Sequence, residues 1–95
     1  MFIELLRFAD NKSKAGDYME GHKAWLSKGF EDDVFLCAGS LQPGAGGALV
    51  AHNTSLEELE ARIRKDPFVA EKVAKPEILE ISLAKSDKRL DFLVD

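Results

Sequence analysis

Residues 33–52 read DVFLCAGSLQPGAGGALVAH, and whether they form two strands or a strand and a helix decides the architecture of the chain. DVFLCAG, 33–39, is a short apolar run that is rich in branched and aromatic side chains and closes on glycine, which is the pattern of a strand. LQPGAGG, 41–47, carries proline and the glycines that allow unusual backbone angles, so a loop is expected there. ALVAH, 48–52, is again a strand, and the three pieces make a wide hairpin. The PGAGGA segment within it leads from strand to strand. It has no helix N-terminus behind it and no Gly-Lys-Ser/Thr sequence, so a phosphate-binding loop is not the reading.

Working outward, FIELLRF, 2–8, is too short between breakers for a helix and is read as the first strand. From Asn11 or Ala15 to Phe30, the polar residues Asp17, Glu20, Lys23 and Ser27 recur at helical spacing, with Gly29 near the expected end. After the hairpin, Thr54 with Glu57 or Ser55 with Glu58 fits a capping box. SLEELEARIRK then opens a second helix with Leu56, Leu59 and Ile63 on one side, and Glu58 and Arg62 are spaced to pair on the other. DPFVAEKVA adds a helical turn or two, with Asp66 as N-cap and Pro67 at the first helical position. PEILEISLA, 76–84, is the last secure strand.

The order strand, helix, strand, strand, helix, strand predicts an α+β fold of the ferredoxin-like βαββαβ kind, with both helices on one face of a four-stranded antiparallel sheet. FIELLRF and VFLCA place apolar groups on both faces of that sheet. The uncovered face then needs a second copy of the chain, which predicts a homodimer with its sheets packed face to face. The whole chain, 1–95, reads as one domain. Its last stretch, 84–95, has apolar residues at 90, 92, 93 and 94, and is expected to add a strand or dock on the partner.

Composition narrows the function. A chain of 95 residues buries only about 60–65% of the surface it exposes unfolded, which again favours dimerisation. With 45% hydrophobic and 32% charged residues it is an ordinary globular composition. The net charge of −4 comes without any basic stripe, which argues against nucleic acid as a partner. No apolar run reaches membrane-spanning length, and Glu4 and Arg7 interrupt the first strand before a signal-peptide core can form, so a cytoplasmic protein is expected. The single cysteine, Cys37, lies in an apolar stretch and is expected to be buried and inert. His22 and His52 sit on different elements without a third ligand. No metal is expected, and His52 is read as solvated.

His22 is the residue that asks for an explanation. On a helical wheel Ala15, Tyr18, Met19, Trp25, Leu26 and Gly29 all fall within roughly 60° of it, near the middle of the stripe that should face the core. A buried imidazole left without a partner costs about 1–3 kcal/mol, so an acceptor on another element is required. A backbone carbonyl is the plainer acceptor; Asp66, which starts the segment after the second helix and reads first as its N-cap, is the other candidate, since one carboxylate oxygen can cap the helix while the other faces the ring.

Taken in order, GHKAWL, FLCAGSLQPGAGGALVA, EELEARIRKDPFV and PEILEISL resemble the YciI-like family, the YCII-related domain, over nearly the whole chain. That resemblance implies a ferredoxin-like fold assembled as a dimeric α+β barrel, with a His and Asp pair at the site, here His22 and Asp66. It also implies a basic residue at the end of the first strand, here Arg7. The family's Gly-Pro step after the second strand is Gly39-Ser40 in this chain, which loosens the loop and adds a hydroxyl. One branch of the family removes chloride from a chlorinated hydroxyquinol. The expectation is therefore a small-molecule enzyme without cofactor, in which His22 moves a proton and Asp66 orients it. Arg7, Trp25, Ser40 and Phe68 are the ligand-binding candidates; Trp25 and Phe68, with Tyr18, suit plain core equally well. The rival expectation is a non-catalytic binding or structural dimer in which the same pair is a buried polar anchor.

Overall fold

The computed structural model describes residues 1–94, so Asp95, the last residue of the tail, lies outside the described residues. Strands β1 (Phe2–Phe8), β2 (Phe35–Leu41), β3 (Gly46–Ala51) and β4 (Ala74–Glu80) form one sheet in the order β2-β3-β1-β4, and every neighbouring pair is antiparallel. Helix α1 (Ala15–Glu31) joins β1 to β2, while α2 (Leu56–Arg64) and the single turn α3 (Pro67–Ala70) join β3 to β4. This is the expected ferredoxin-like arrangement. No helix among the described residues is long and apolar enough to cross a membrane.

Alternation along β1 sets the layers. Phe2, Glu4 and Leu6 are buried toward the helices, and Ile3, Leu5 and Arg7 take the opposite face. Two apolar clusters lie between sheet and helices. One contains Phe2, Phe35, Leu49, Leu59 and Ile63; the other contains Leu6, Phe68, Val73 and Ala74. Glu4 stands between them on β1, opposite Leu49 of β3 and Ile78 of β4.

Several expectations are corrected. The hairpin loop is not seven residues long, because β2 runs to Leu41 and β3 begins at Gly46. Gly46 and Gly47 pair as strand instead, and Gly44 stays in the turn with φ of 60°. Gly46 lies opposite both Arg7 and Leu41 with φ of 131°, where a Cβ would sit 1.9 Å from the Leu6 carbonyl oxygen. Cys37 is on a strand but exposed. An irregularity in the β2–β3 pairing between Phe35 and Cys37 adds a residue, so Phe35 turns inward and Cys37, opposite Val50, turns out. Ser55, not Thr54, caps α2 with Glu58 in the capping box. Glu58 is thereby engaged, and Arg62 bonds Asp32 across to α1 at 3.0 Å rather than Glu58. The described part of the tail, through Val94, does not extend the sheet; residues 88–93 form a 3-10 segment, and its Phe92 edges onto His52. His52 is consequently half-buried rather than solvated, 3.7 Å from Asp33.

Gly29 lies near the end of α1, as expected. It is buried inside the helix, where a Cβ would lie 2.1 Å from the Phe35 ring. Because that ring is fixed in the core, Gly29→Ala is expected to lower stability by about 1–3 kcal/mol, the usual cost of overpacking, read as an earlier urea midpoint.

Candidate active site

Asp66 is held by the chain around it. Its backbone is extended before Pro67, and its Oδ1 accepts the Phe68 amide at 3.0 Å, capping α3. The same Oδ1 accepts a hydrogen bond from Nδ1 of His22 on α1 at 2.8 Å. The expected division of labour between the two carboxylate oxygens is therefore wrong: both bonds fall on Oδ1, and Oδ2 is buried without a partner among the described residues. Asp66 is 0% exposed. Close approach of α1 to α3 makes the contact possible, since a Cβ on Gly21 would already be 3.0 Å from the Pro67 ring.

The imidazole is fixed on its faces as well. It stacks on Phe68 with ring centroids 4.2 Å apart and planes within 3°, and lies nearly parallel to Trp25 at 6.0 Å. Trp25 is itself anchored, donating its indole N–H to the Arg62 carbonyl at 2.8 Å and packing on Phe35. With an acceptor carboxylate at Nδ1, the ring hydrogen belongs on that nitrogen and Nε2 carries the lone pair. Nε2 makes no hydrogen bond among the described residues, and His22 opens on a cavity of about 330 Å³. That volume is at the lower end for small-ligand sites, enough for a single substituted ring.

The structure brings some expected residues to this cavity and leaves others out. His22, Phe68 and Ser40 line it; Asp66 lies behind the imidazole. Trp25 supports the ring without lining the cavity. Arg7 is on the other face of the sheet, bonded to Glu77 of β4 at 2.7 Å, and does not reach the cavity. The cationic side chain in the lining is Lys23, the residue after His22. Its place one step along the helix was visible in the sequence, but nothing in the hydrophobic pattern distinguished it from any other surface lysine.

The residue that sequence reasoning missed is Glu4. It is 1% exposed, lines the cavity with His22, and its Oε2 is buried without a partner among the described residues. Burial first, and the negative charge of Asp66 second, push its carboxyl up to about 7. An oriented imidazole and a carboxyl whose burial favours its protonated form, within apolar walls from Leu6, Leu49 and Phe68, are groups that can exchange protons with a small organic molecule.

No family model matches the chain, and no curated protein matches its sequence. Among solved structures it is similar to 5-chloro-2-hydroxyhydroquinone dehydrochlorinase (TftG) from Burkholderia phenoliruptrix, in complex with 2,5-dihydroxybenzoquinone. The TM-score is 0.70 over 94% of this chain and 98% of that one, at 16% identity. A likeness at that identity shows the shared ferredoxin-like fold, and a fold alone does not transfer chemistry.

Proposed function

We propose that this chain is a cofactor-independent enzyme of the YciI-like, dimeric α+β barrel kind, in which His22 moves a proton on an enolisable or hydroxylated ring. Asp66 orients the imidazole and stabilises the positive charge it acquires. The observation that carries this reading is the 2.8 Å Nδ1 to Oδ1 bond of a histidine that lines an apolar cavity of ring size, with no hydrogen bond to its other ring nitrogen among the described residues. Phe68 and Ser40 are ligand contacts in this reading, with Lys23 in the place foreseen for Arg7. The dehydrochlorinase of the same fold acts on a ring of the same class, which supports lyase or isomerase chemistry here.

A second reading, a structural or ligand-binding module anchored by the pair, is favoured by one fact: Asp66 caps α3 with the very oxygen that holds His22. Titrating the histidine resonances by NMR against 2,5-dihydroxybenzoquinone separates the two. A catalytic site predicts that the His22 resonances move with ligand and that its titration midpoint shifts. Resonances indifferent to the ligand would favour the anchor.

The open face of the sheet supports the dimer. Ile3 and Leu5 of β1, Cys37 of β2, Val50 of β3 and Leu79 of β4 share that face, and Leu79 is 40% exposed. A contiguous apolar patch across four strands is a surface that a second copy covers. Light scattering is expected to give twice the mass of the chain, and Val50→Lys, which sets an unpaired charge in that patch, is expected to give the monomer.

A further inference from the structure

We propose that Glu4 is a ligand-binding acid of this site: its carboxyl donates a hydrogen bond to a ring oxygen, so the substrate is a planar ring with a carbonyl or hydroxyl facing Glu4 and its reacting hydrogen facing His22. This deepens the reading of the His22 cavity given above and rests on it.

The placement of Glu4 has no structural explanation. It separates two apolar clusters that a leucine would join, and its cross-strand neighbours are Leu49 and Ile78. A buried polar oxygen without a partner costs stability, and neither the cap of α3 nor any ion pair among the described residues uses it. What the placement does provide is a polar atom in the apolar lining of the cavity that His22 enters. The groups facing it are His22 and Lys23 from α1 and Asp66 from the α2–α3 junction. From β2 the lining offers Ala38, Gly39 and Ser40, and from β3 and β4 the flanking side chains are apolar. Burial and the Asp66 charge both favour the protonated form of Glu4, which makes it a donor.

The chemistry balances without a co-reactant. His22 Nε2 takes a proton from the carbon next to a ring carbonyl. The C–H electron pair becomes a carbon–carbon double bond, the carbonyl π pair moves to oxygen, and that oxygen takes the Glu4 proton. The enol forms with Glu4 as carboxylate and His22 as imidazolium, and reversal returns both protons. Neutral Glu4 thus supplies a proton where negative charge develops, beside an apolar wall that strengthens the bond.

The test uses 2,5-dihydroxybenzoquinone as probe, with binding followed by its absorbance from pH 5.5 to 8.5 for the wild type, Glu4→Gln and Glu4→Leu. Wild-type affinity is expected to fall as Glu4 loses its proton. Glu4→Gln keeps a neutral donor at every pH and is expected to lose that dependence, while Glu4→Leu, which puts a shorter, branched apolar chain in its place, is expected to bind roughly tenfold more weakly at pH 6. Glu4→Leu binding like the wild type, or Glu4→Gln retaining the wild-type pH dependence, would overturn the assignment of Glu4. If His22 resonances still respond to the probe in that case, the reading of the cavity survives and only Glu4 is wrong. No probe binding by the wild type at any pH would overturn both.

Discussion

Replacing His22 with alanine is expected to slow turnover of the ring substrate at least about a hundredfold, the usual contribution of a positioned acid–base group, with the fold intact. The fold should survive because Oδ1 of Asp66 keeps the Phe68 amide when the imidazole is gone, so α3 stays capped. What is lost structurally is the stacking on Phe68 and one charge-assisted hydrogen bond, about 1–3 kcal/mol. Asp66→Ala should behave differently. It removes the cap as well, adding about 1 kcal/mol of helix stability to the loss, and frees the imidazole to turn. Asp66→Asn keeps an acceptor for the Phe68 amide and isolates the charge, so its stability should lie nearer the wild type while its turnover falls with the alanine variant's. If turnover on any substrate is untouched in His22→Ala, the acid–base assignment is wrong.

Glu4→Leu is expected to make the protein more stable, by an amount that grows with pH. An ordinary glutamate gives up its proton near 4.5, whereas burial and Asp66 hold the folded Glu4 carboxyl protonated up to about 7. Between those values the folded chain binds more protons than the unfolded one, so wild-type stability falls as pH rises through that window. Integrated, the loss is on the order of 3 kcal/mol, complete above about pH 7.5 and absent below about pH 4. The leucine variant lacks that slope and also joins the two apolar clusters. Urea unfolding at pH 4 and pH 8 measures the difference directly; equal pH dependence in both proteins would show that Glu4 is not the group that titrates. A variant that is more stable yet binds its ring more weakly is the expected signature of a site kept at the expense of the core.

The fold was legible because each element carries its own punctuation. The capping box at Ser55 and the Asp66-Pro67 start of α3 are backbone requirements written in residue types, and the hairpin announces itself by glycines. The His22–Asp66 pair was legible for a related reason, since a polar ring on an apolar helix stripe demands a partner. Arg7 and Glu4 were not. They lie three residues apart on one strand, so they point to opposite faces, and Phe2, Leu6 and Phe8 compete with Ile3 and Leu5 for the inside. Either choice buries one ionisable group. Which one goes inward is settled by pairing with β3 and β4, where Leu49 and Ile78 share a face with Glu4, and no periodicity within seven residues contains that information. The bulge at β2 hid Cys37 in the same way: a single extra residue reverses the facing of everything after it.

The shared acceptor at Asp66 gives the site a built-in gauge. The Phe68 amide and the His22 ring N–H compete for the electron density of one oxygen, so any change in the charge of the imidazole alters the strength of the amide's own bond. A backbone amide on the far side of the carboxylate therefore reports the charge of the imidazole. Its nitrogen shift and its rate of exchange with deuterium register each proton that His22 takes up or gives away.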